Sequence, residues 1–567
     1  MYFSPMKERL NVLLLALSLG LLIACGHQPS VSDSPRSPAE AAVAAPDSYS
    51  AQVASDVLAR GGNAIDAAVA MAFVLAVTYP EAGNLGGGGF MLAWVDGQPY
   101  FLDYRETAPA AASRDMYLDA HGKVIEGSSL TGALSAGIPG TVAGLWEAHQ
   151  RLGRLPWKDL LAPAIRLAED GFAAPAQLQQ NIQEELPRLA PATNFGHYFG
   201  SLQAGKTFRQ PELAATLRRI QEAGPSGFYG GETAGLIVRA MKRAGGLLTA
   251  ADLAGYTTQW REPLSAAWRG FTVLSAPPPS SGGIAILQLL KMKDQLSPEF
   301  RGLALNSAQY VHLTAEMEKR VFADRAEYLG DPGFFEVPTA DLLADDYIAR
   351  RAAQVDRQRI SPIDAVLPGL EHHDTIHFSI VDRSGNAVSN TYTLNNSFGS
   401  GVVVEGAGFL LNDEMDDFSV KPGTPNLYGL VGSVANEVQP GKRMLSSMSP
   451  TILLQDGRVK MVLGSPGGST IITSVYQAII DSVDFGMSPA QAVGAPRFHQ
   501  QLLPPDLVTY SPTRPLPTET IEALRQRGYR VQPHAWELGD LQMIVREGNA
   551  WAAASDPRGR GESRILQ

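Results

Sequence analysis

The chain has 567 residues, 45% of them apolar and 18% charged, and a mass of 60.6 kDa, which excludes a peptide, a disulfide-stapled miniprotein or disorder throughout. Lys and Arg number 46 against 57 Asp and Glu, giving a net charge of −11. With no basic block beyond the first residues, no nucleic-acid partner is expected. The single cysteine, Cys25, rules out an intramolecular disulfide and a cysteine-rich metal centre.

Lys7 and Arg9 precede an almost wholly apolar run, Leu10 to Ala24, which is too short to span a bilayer comfortably and reads as an export signal. Its end, Leu22-Ile23-Ala24-Cys25, resembles the lipobox of bacterial lipoproteins, where cleavage precedes a cysteine that is then acylated. An ordinary signal peptide or a short N-terminal anchor that happens to contain a cysteine is the alternative. On the first reading residues 1–24 are a signal peptide, Cys25 is the lipidation site, and the protein is anchored on the periplasmic side of a bacterial membrane. Residues 25–47, rich in Ser, Pro and Ala without periodicity, are expected to form a flexible tether outside the fold.

Gln52 to Arg60 has helical spacing and stops at Gly61-Gly62; Asn63 can cap a second helix from Ala64 to Val77. That helix is nearly all apolar and therefore buried, and at about fourteen residues with Asp66 inside it is a poor transmembrane candidate. Gly86 to Gly89 leads into Phe90 to Val95, a turn at Asp96-Gly97, and Tyr100 to Tyr104, a β-hairpin pattern. Residues 139–350 read as mostly helical, with breaks at Gly245-Gly246, Pro277-Pro278-Pro279 and Gly282-Gly283. Strands return after Asp374. The Gly86 run follows a helix and precedes a strand, the reverse of a dinucleotide fingerprint, and Gly464 to Thr470 lacks the Lys of a P-loop.

Thr375 to Asp382 alternates as a half-buried strand should, with Ile376, Phe378 and Ile380 on one face. A turn at Arg383-Ser384-Gly385-Asn386 returns the chain through Ala387 to Leu394. Centred on Ser384, the hairpin sets Thr375 directly opposite Thr393, with Cβ atoms roughly 4.5 to 5.5 Å apart. Two hydroxyls can then touch, although facing threonines more often only stabilise a sheet. His373 and His377 are four apart, about 13 Å along a strand, so they do not converge on a metal. No metal and no cofactor are expected.

The stretch His373 to Asp382, then Gly385-Asn386-Ala387-Val388 and Thr391 to Asn395, resembles the start of the small subunit of the γ-glutamyltranspeptidases. Asn412 to Ser419, Leu445 to Thr451, Gly464 to Gly468, Asp556-Pro557-Arg558, Gly86 to Phe90 and Asp103 to Pro109 resemble the same family in its order, so the likeness runs from about Ser50 to the C-terminus. It implies an α/β αββα four-layer sandwich of the N-terminal nucleophile hydrolase type. It also implies a precursor that cuts itself between Asp374 and Thr375 into segments 48–374 and 375–567, packed as one intertwined domain. The logic is chemical: a threonine hydroxyl needs a base, and a freed α-amine of pKa about 7.7 to 8 supplies one on the same residue.

By the same resemblance Thr393 hydrogen-bonds the nucleophile Thr375, and the N–H groups of Gly467 and Gly468 form an oxyanion hole. Arg105 clamps the α-carboxylate of a γ-glutamyl donor with Ser446 and Ser447, and Asn395, Glu414 and Asp417 receive its α-ammonium. Pro422 to Ser433 resembles a lid loop, with Tyr428 where an aromatic gate lies. Ile376 departs from the smaller residue usual after the nucleophile, and Glu414 stands where the family varies between Gln and Glu. The expected activity is γ-glutamyl transfer or hydrolysis. Its partners are glutathione and other γ-glutamyl compounds as donors, water, amino acids or dipeptides as acceptors, and the membrane through the lipid anchor only. A glutaryl-cephalosporin acylase is the rival enzyme reading, but a glutaryl group has no α-amine for Asp417 and Glu414 to meet. An unprocessed binding protein is the rival from another class, against which the intact Asp374, Thr375, Thr393, Gly467 and Gly468 set argues.

Overall fold

The computed structural model describes residues 41–362, 374–421 and 433–567. Cys25, the signal segment, His372, His373 and Tyr428 lie outside the described residues, and Asp374 is described only as the first residue of a strand. Among the described residues no helix is long and apolar enough to cross a membrane.

Two sheets stack face to face between two layers of helices, the αββα sandwich. The first sheet is built from β1 (Ala41–Ala45), β2 (Gly88–Val95), β3 (Gln98–Tyr104), β4 (Gln259–Arg261), β7 (Asp374–Val381), β8 (Ala387–Asn395) and β13 (Glu562–Leu566), in the order β13-β1-β7-β8-β2-β3-β4. The second holds β5 (Leu264–Trp268), β6 (Phe271–Ser275), β9 (Thr451–Gln455), β10 (Arg458–Gly464), β11 (Gln542–Glu547) and β12 (Ala550–Ser555), in the order β12-β11-β10-β9-β6-β5. Each sheet contains strands from both sides of residue 374, so either segment alone would leave its sheets with open edges.

The helical expectations at the start of the fold hold. Helix α1 (Ser48–Ala59) and helix α2 (Ala64–Thr78) are separated by a capping box, in which the Asn63 side chain accepts from Asp66 N and the Asp66 carboxylate accepts from Asn63 N. All fifteen residues of α2 are buried, as an all-round apolar helix requires. It packs with α1 on the outer face of the first sheet, against Ile376, Phe378 and Ile380. On the outer face of the second sheet lie α3 (Gly282–Gln295), α4 (Ala308–Tyr328) and α5 (Thr470–Val483).

Two expectations are corrected. The tether does not extend to residue 47: Ala41–Ala45 is a wholly buried strand, paired antiparallel with both β13 and β7. Ala42 and Ala44 lie between the sheets while Ala41, Val43 and Ala45 lie under helices, so both faces need small side chains, and alanine's weak β preference hides the strand. Asp47 then caps α1 through Ser50 N and accepts from Thr78 Oγ1 at 2.6 Å. Residues 139–350 are mostly helical, as their pattern predicts, with β4, β5 and β6 interrupting them. Finally, β7 is buried on both faces rather than one. Its polar side, His377 and Ser379, fills the space between the sheets, where His377 Nδ1 bonds Thr391 Oγ1 and Ser379 Oγ donates to Gln542 O.

Candidate active site

The hairpin register places the two threonines as their spacing predicts: Thr375 on β7 faces Thr393 on β8, and Thr393 faces Gly88 on β2. Both hydroxyl residues are nearly buried, 6% and 3% exposed. Thr375 is in peptide linkage to Asp374 in this full-length chain, so its nitrogen is an amide here. A bulge follows Thr393. Asn395 takes up the slack at φ +84 and its N–H donates to Thr393 Oγ1 at 2.8 Å, the conformation for which asparagine is among the better suited non-glycine residues. From outside the hairpin, the Asn84 amide donates to Thr393 O at 2.9 Å, and its oxygen accepts from Gly87 N and Thr141 Oγ1.

The oxyanion candidates come from the second sheet. Ser389 Oγ on β8 donates to Leu463 O, and one residue further along β10 Gly464 lies on the His377 ring, where a Cβ would sit 2.3 Å away. Strand β10 therefore runs toward the Thr375 end of β7 and releases the turn Gly467-Gly468 there. Both glycines have positive φ, +122 and +58, a backbone region costly for other residues. Thr470 N and Oγ1 both bond Gly467 O and so close the turn onto α5. Ser469 Oγ donates to Gln501 Oε1, which also bonds His499 Nε2 at 2.7 Å. Burial pushes His499 down to about 3, so the ring is neutral and donates through Nε2, leaving Nδ1 to accept from Thr473 Oγ1 at 3.0 Å.

The charged residues meet beside the hairpin. Arg105, just past β3 and 1% exposed, pairs through Nη1 with Glu414 at 2.6 Å and through Nη2 with Asp417. Glu414 and Asp417 share one 3-10 turn (Glu414–Asp417). Asn412 anchors that turn: its Nδ2 donates to Gly86 O and Gly137 O and its Oδ1 accepts from Glu414 N. Asn395 Nδ2 donates to Asp413 O at 3.0 Å, while the buried Asn395 Oδ1 has no hydrogen-bond partner. Burial works against the Arg105 charge, but Glu414, Asp417 and Glu106 together hold its pKa above the ordinary value. Burial pushes Glu414 well above the carboxylate range, Arg105 opposing and Glu106, Asp417 and Asp413 adding.

Ser446 and Ser447 sit in the loop before β9, cradled by the Pro277 to Gly283 segment that the sequence marks as a helix break. Ser446 N donates to Pro279 O, while Ser281 N and Oγ donate to Ser446 O. Gly282 permits this approach, since a Cβ there would lie 2.0 Å from Ser449 Oγ. Arg325, on α4, donates to Ser281 Oγ at 3.0 Å and Ser447 Oγ at 3.3 Å. Asn436 ties the serine loop to the acidic turn, donating to Asp417 O at 2.6 Å and accepting from Leu445 N.

The structure thus gathers Thr375, Thr393, Asn395, Arg105, Glu414, Asp417, Ser446 and Ser447 around one end of the hairpin. Sequence reasoning missed Asn84, Glu106, Arg325, Asn436 and Gln501. Asn84 had a faint signal, an asparagine between Gly83 and the Gly86 run; Glu106 had none, because only packing shows that its carboxyl is inside.

Comparisons with known proteins bear on the family. The Gamma-glutamyltranspeptidase family profile matches residues 50–566. The glutathione hydrolase proenzyme of Pseudomonas aeruginosa is 56% identical, covering 98% of this chain and 99% of its own, and that of Escherichia coli is 44% identical over 91% and 90%. Among solved structures, the gamma-glutamyltranspeptidase of Pseudomonas nitroreducens complexed with L-DON is 57% identical over 57% of this chain and 97% of that one, at a TM-score of 0.57. The cephalosporin acylase of Bacillus halodurans superimposes at 0.81 with 28% identity, covering 95% of this chain and 99% of that one. With paired threonines, a two-glycine turn and an arginine set against an acidic turn in a sandwich that both kinds of enzyme share, and with a match spanning the chain, the protein belongs to the gamma-glutamyltranspeptidase family.

Proposed function

We propose that the chain is a self-processing γ-glutamyltransferase and glutathione hydrolase. In the first step the Thr375 hydroxyl attacks the Asp374 carbonyl; the C–N bond to Thr375 breaks, and water hydrolyses the resulting ester. The product is a free α-amine on Thr375 and a small segment of 193 residues. That amine then takes the hydroxyl proton as Thr375 Oγ1 attacks the γ-carbonyl of the donor. Gly467 and Gly468 N–H groups stabilise the oxyanion, the leaving amine receives the proton, and a γ-glutamyl ester on Thr375 remains. Water, an amino acid or a dipeptide discharges it. Thr393 holds the nucleophile's hydroxyl in line.

The donor's free end is a zwitterion, and burying it requires opposite charge at both poles. Arg105, with Ser446 and Ser447, takes the carboxylate; Asp417, Glu414 and the open Asn395 Oδ1 take the ammonium. The observation that carries the reading is the buried meeting of Arg105 with Glu414 and Asp417 beside the Thr375 hairpin: guanidinium and acids already face each other, and a zwitterion can offer each a partner of the same sign as the one it gives up. The P. nitroreducens chain, covering 57% of this one and 97% of itself, has about the length of the segment before Thr375, which supports processing there. An acylase acting on glutaryl side chains has no use for the acidic pole.

The test is direct. The smaller band of the purified protein should begin at Thr375, and the processed protein should release the free aniline from a γ-glutamyl anilide, faster with glycylglycine if transfer dominates. A preparation active with the Asp374–Thr375 bond intact, or one that cleaves glutaryl but not γ-glutamyl anilide, would defeat the reading. Export with acylation at Cys25 is part of the same proposal. Labelled palmitate should enter the wild-type chain, and Cys25→Ser should remove both the label and the membrane association.

A further inference from the structure

The Arg105 pocket holds one carboxylate that the recognition scheme above leaves unused. Glu106 is wholly buried, and neither of its carboxyl oxygens has a hydrogen-bond partner outside its own main chain. It packs on Gly88 so closely that a Cβ there would lie 2.7 Å from Glu106 Oε2, and Gly88 is the third member of the Thr375–Thr393–Gly88 row. Its nearest charge is Arg105 Nη1 at 3.6 Å. The groups around it are Arg105, Asp103 and Tyr104 from its own segment, Glu414 and Asp417 from the acidic turn, and Tyr229 and Tyr256 from the covering helices. Asp103 is matched by Arg261 and Arg443, and burial holds all three tyrosines above their ordinary range, hence neutral. Three carboxyl groups, Glu106, Glu414 and Asp417, therefore crowd around Arg105 where water is scarce, with Arg325 adding a positive charge toward Asp417 alone, and like charges so placed cannot all ionise cheaply.

We propose that Glu106 is the proton-holding positioning residue of this pocket, and that seating a γ-glutamyl α-end on Arg105 draws a proton onto Glu106. The inference rests on the recognition scheme of the preceding subsection. When the zwitterion enters, Glu414 and Asp417 exchange one neighbouring cation, the guanidinium, for another, the ammonium, so neither has cause to change its protonation. Glu106 instead gains an anion, the ligand carboxylate, on the guanidinium beside it. Burial already pushes Glu106 up to about 8, Asp417 and Asp103 adding and Arg105 opposing, and a further anion moves it higher. The ligand therefore prefers protonated Glu106: affinity is full below about pH 8 and declines above it, by up to about tenfold per pH unit until the pKa of the bound form is reached. A neutral Glu106 also leaves Arg105 free to commit its charge to the ligand.

L-glutamate serves as the probe, because it carries the α-end and no leaving group. Its binding to the processed enzyme is measured calorimetrically at pH 8 in phosphate and in Tris, whose ionisation heats differ. Uptake of about half a proton per glutamate is expected, and Glu106→Gln should still bind glutamate while losing the uptake. Zero exchange, release of protons, or the same uptake in Glu106→Gln would overturn the proposal. Should that variant fail to process, the wild-type affinity for L-norvaline, which carries the α-end but no γ-carboxylate to meet the Thr375 amine, is measured from pH 6.5 to 9: a level course and then a fall beyond about 8 supports Glu106, and a flat course throughout overturns it. Arg105→Lys separates the two readings. If glutamate binds it as tightly as wild type, the recognition scheme itself fails; if Arg105 is needed but no proton moves, only the role of Glu106 fails.

Discussion

Thr375 and Thr393 are set opposite each other by an antiparallel ladder that turns over within twenty residues, whereas Arg105 and Asp417 meet across 312 residues of chain. The first pair is neutral and held by main-chain hydrogen bonds; the second is a buried ion cluster held by side chains from separate elements. Backbone register fixes reacting atoms with little freedom, which is what bond formation at Thr375 requires. Side-chain ion pairs can be exchanged for a ligand's charges, which is what recognition requires. Perturbing the hairpin should therefore lower turnover, and perturbing the cluster should lower affinity.

The sharpest way to break that division is at the nucleophile. Thr375→Ala removes the hydroxyl that the proposed mechanism uses for both processing and turnover, so the chain should run as one uncleaved band and lose roughly 10⁴-fold or more in activity. Cleavage before position 375 in that variant would remove the threonine from the mechanism. The next largest effect is expected at the two-glycine turn. Gly467→Ala places a methyl group at φ +122, 2.4 Å from Thr470 Oγ1, and displaces an N–H proposed to hold the oxyanion. Turnover should fall about 10²- to 10³-fold with KM nearly constant. A rise in KM instead would move this turn from the chemical to the recognition half of the site.

Arg105→Lys probes the other half. A single ammonium cannot hold two carboxylates in the forked geometry of the guanidinium, so donor KM should rise about 10- to 100-fold while kcat changes by a few-fold at most. Equal loss in kcat would mean that the cluster also aligns the hairpin. Asn412 and Asn395, which link the acidic turn to the glycine run before β2 and to β8, are the bridges through which such alignment would travel.

The same division explains what was legible in the sequence. The Thr375–Thr393 register followed from counting residues about Ser384, because a hairpin obeys a period of two. The capped helix α2 followed from Asn63 and its apolar run. β1 did not, since five residues of Ala and Val beside a Ser- and Pro-rich stretch carry no alternation when both faces are covered. β5 and β6 were lost for a related reason: short strands between helices are local exceptions to a regional trend. Within the site, Arg105, Glu414, Asp417 and the serine pair were placed by family resemblance, not by spacing, as contacts across hundreds of residues leave no local pattern. Glu106 and Asn84 were invisible as site residues because their role depends on what packs over them.

Asn84 offers the mildest test, and it asks whether the hairpin depends on its neighbours at all. Its side-chain amide donates to Ala82 O and Thr393 O and accepts from Gly87 N and Thr141 Oγ1, so it pins the end of β8 to the glycine run that precedes β2. In Asn84→Ala the Gly87 N–H and the Thr393 carbonyl lose that partner in a buried place, a cost of about 1 to 3 kcal/mol. The ladder pairing of Thr393 with Thr375 persists, but the bulge that presents Thr393 Oγ1 to Asn395 N loses its brace. Turnover should then fall about 3- to 10-fold through poorer alignment, while donor KM stays within a factor of two, since no group facing Arg105 has been touched. A steady-state comparison of the processed variant with wild type decides. If KM rises while kcat holds, hairpin and cluster are one mechanical unit, and the separation of turnover from recognition does not stand.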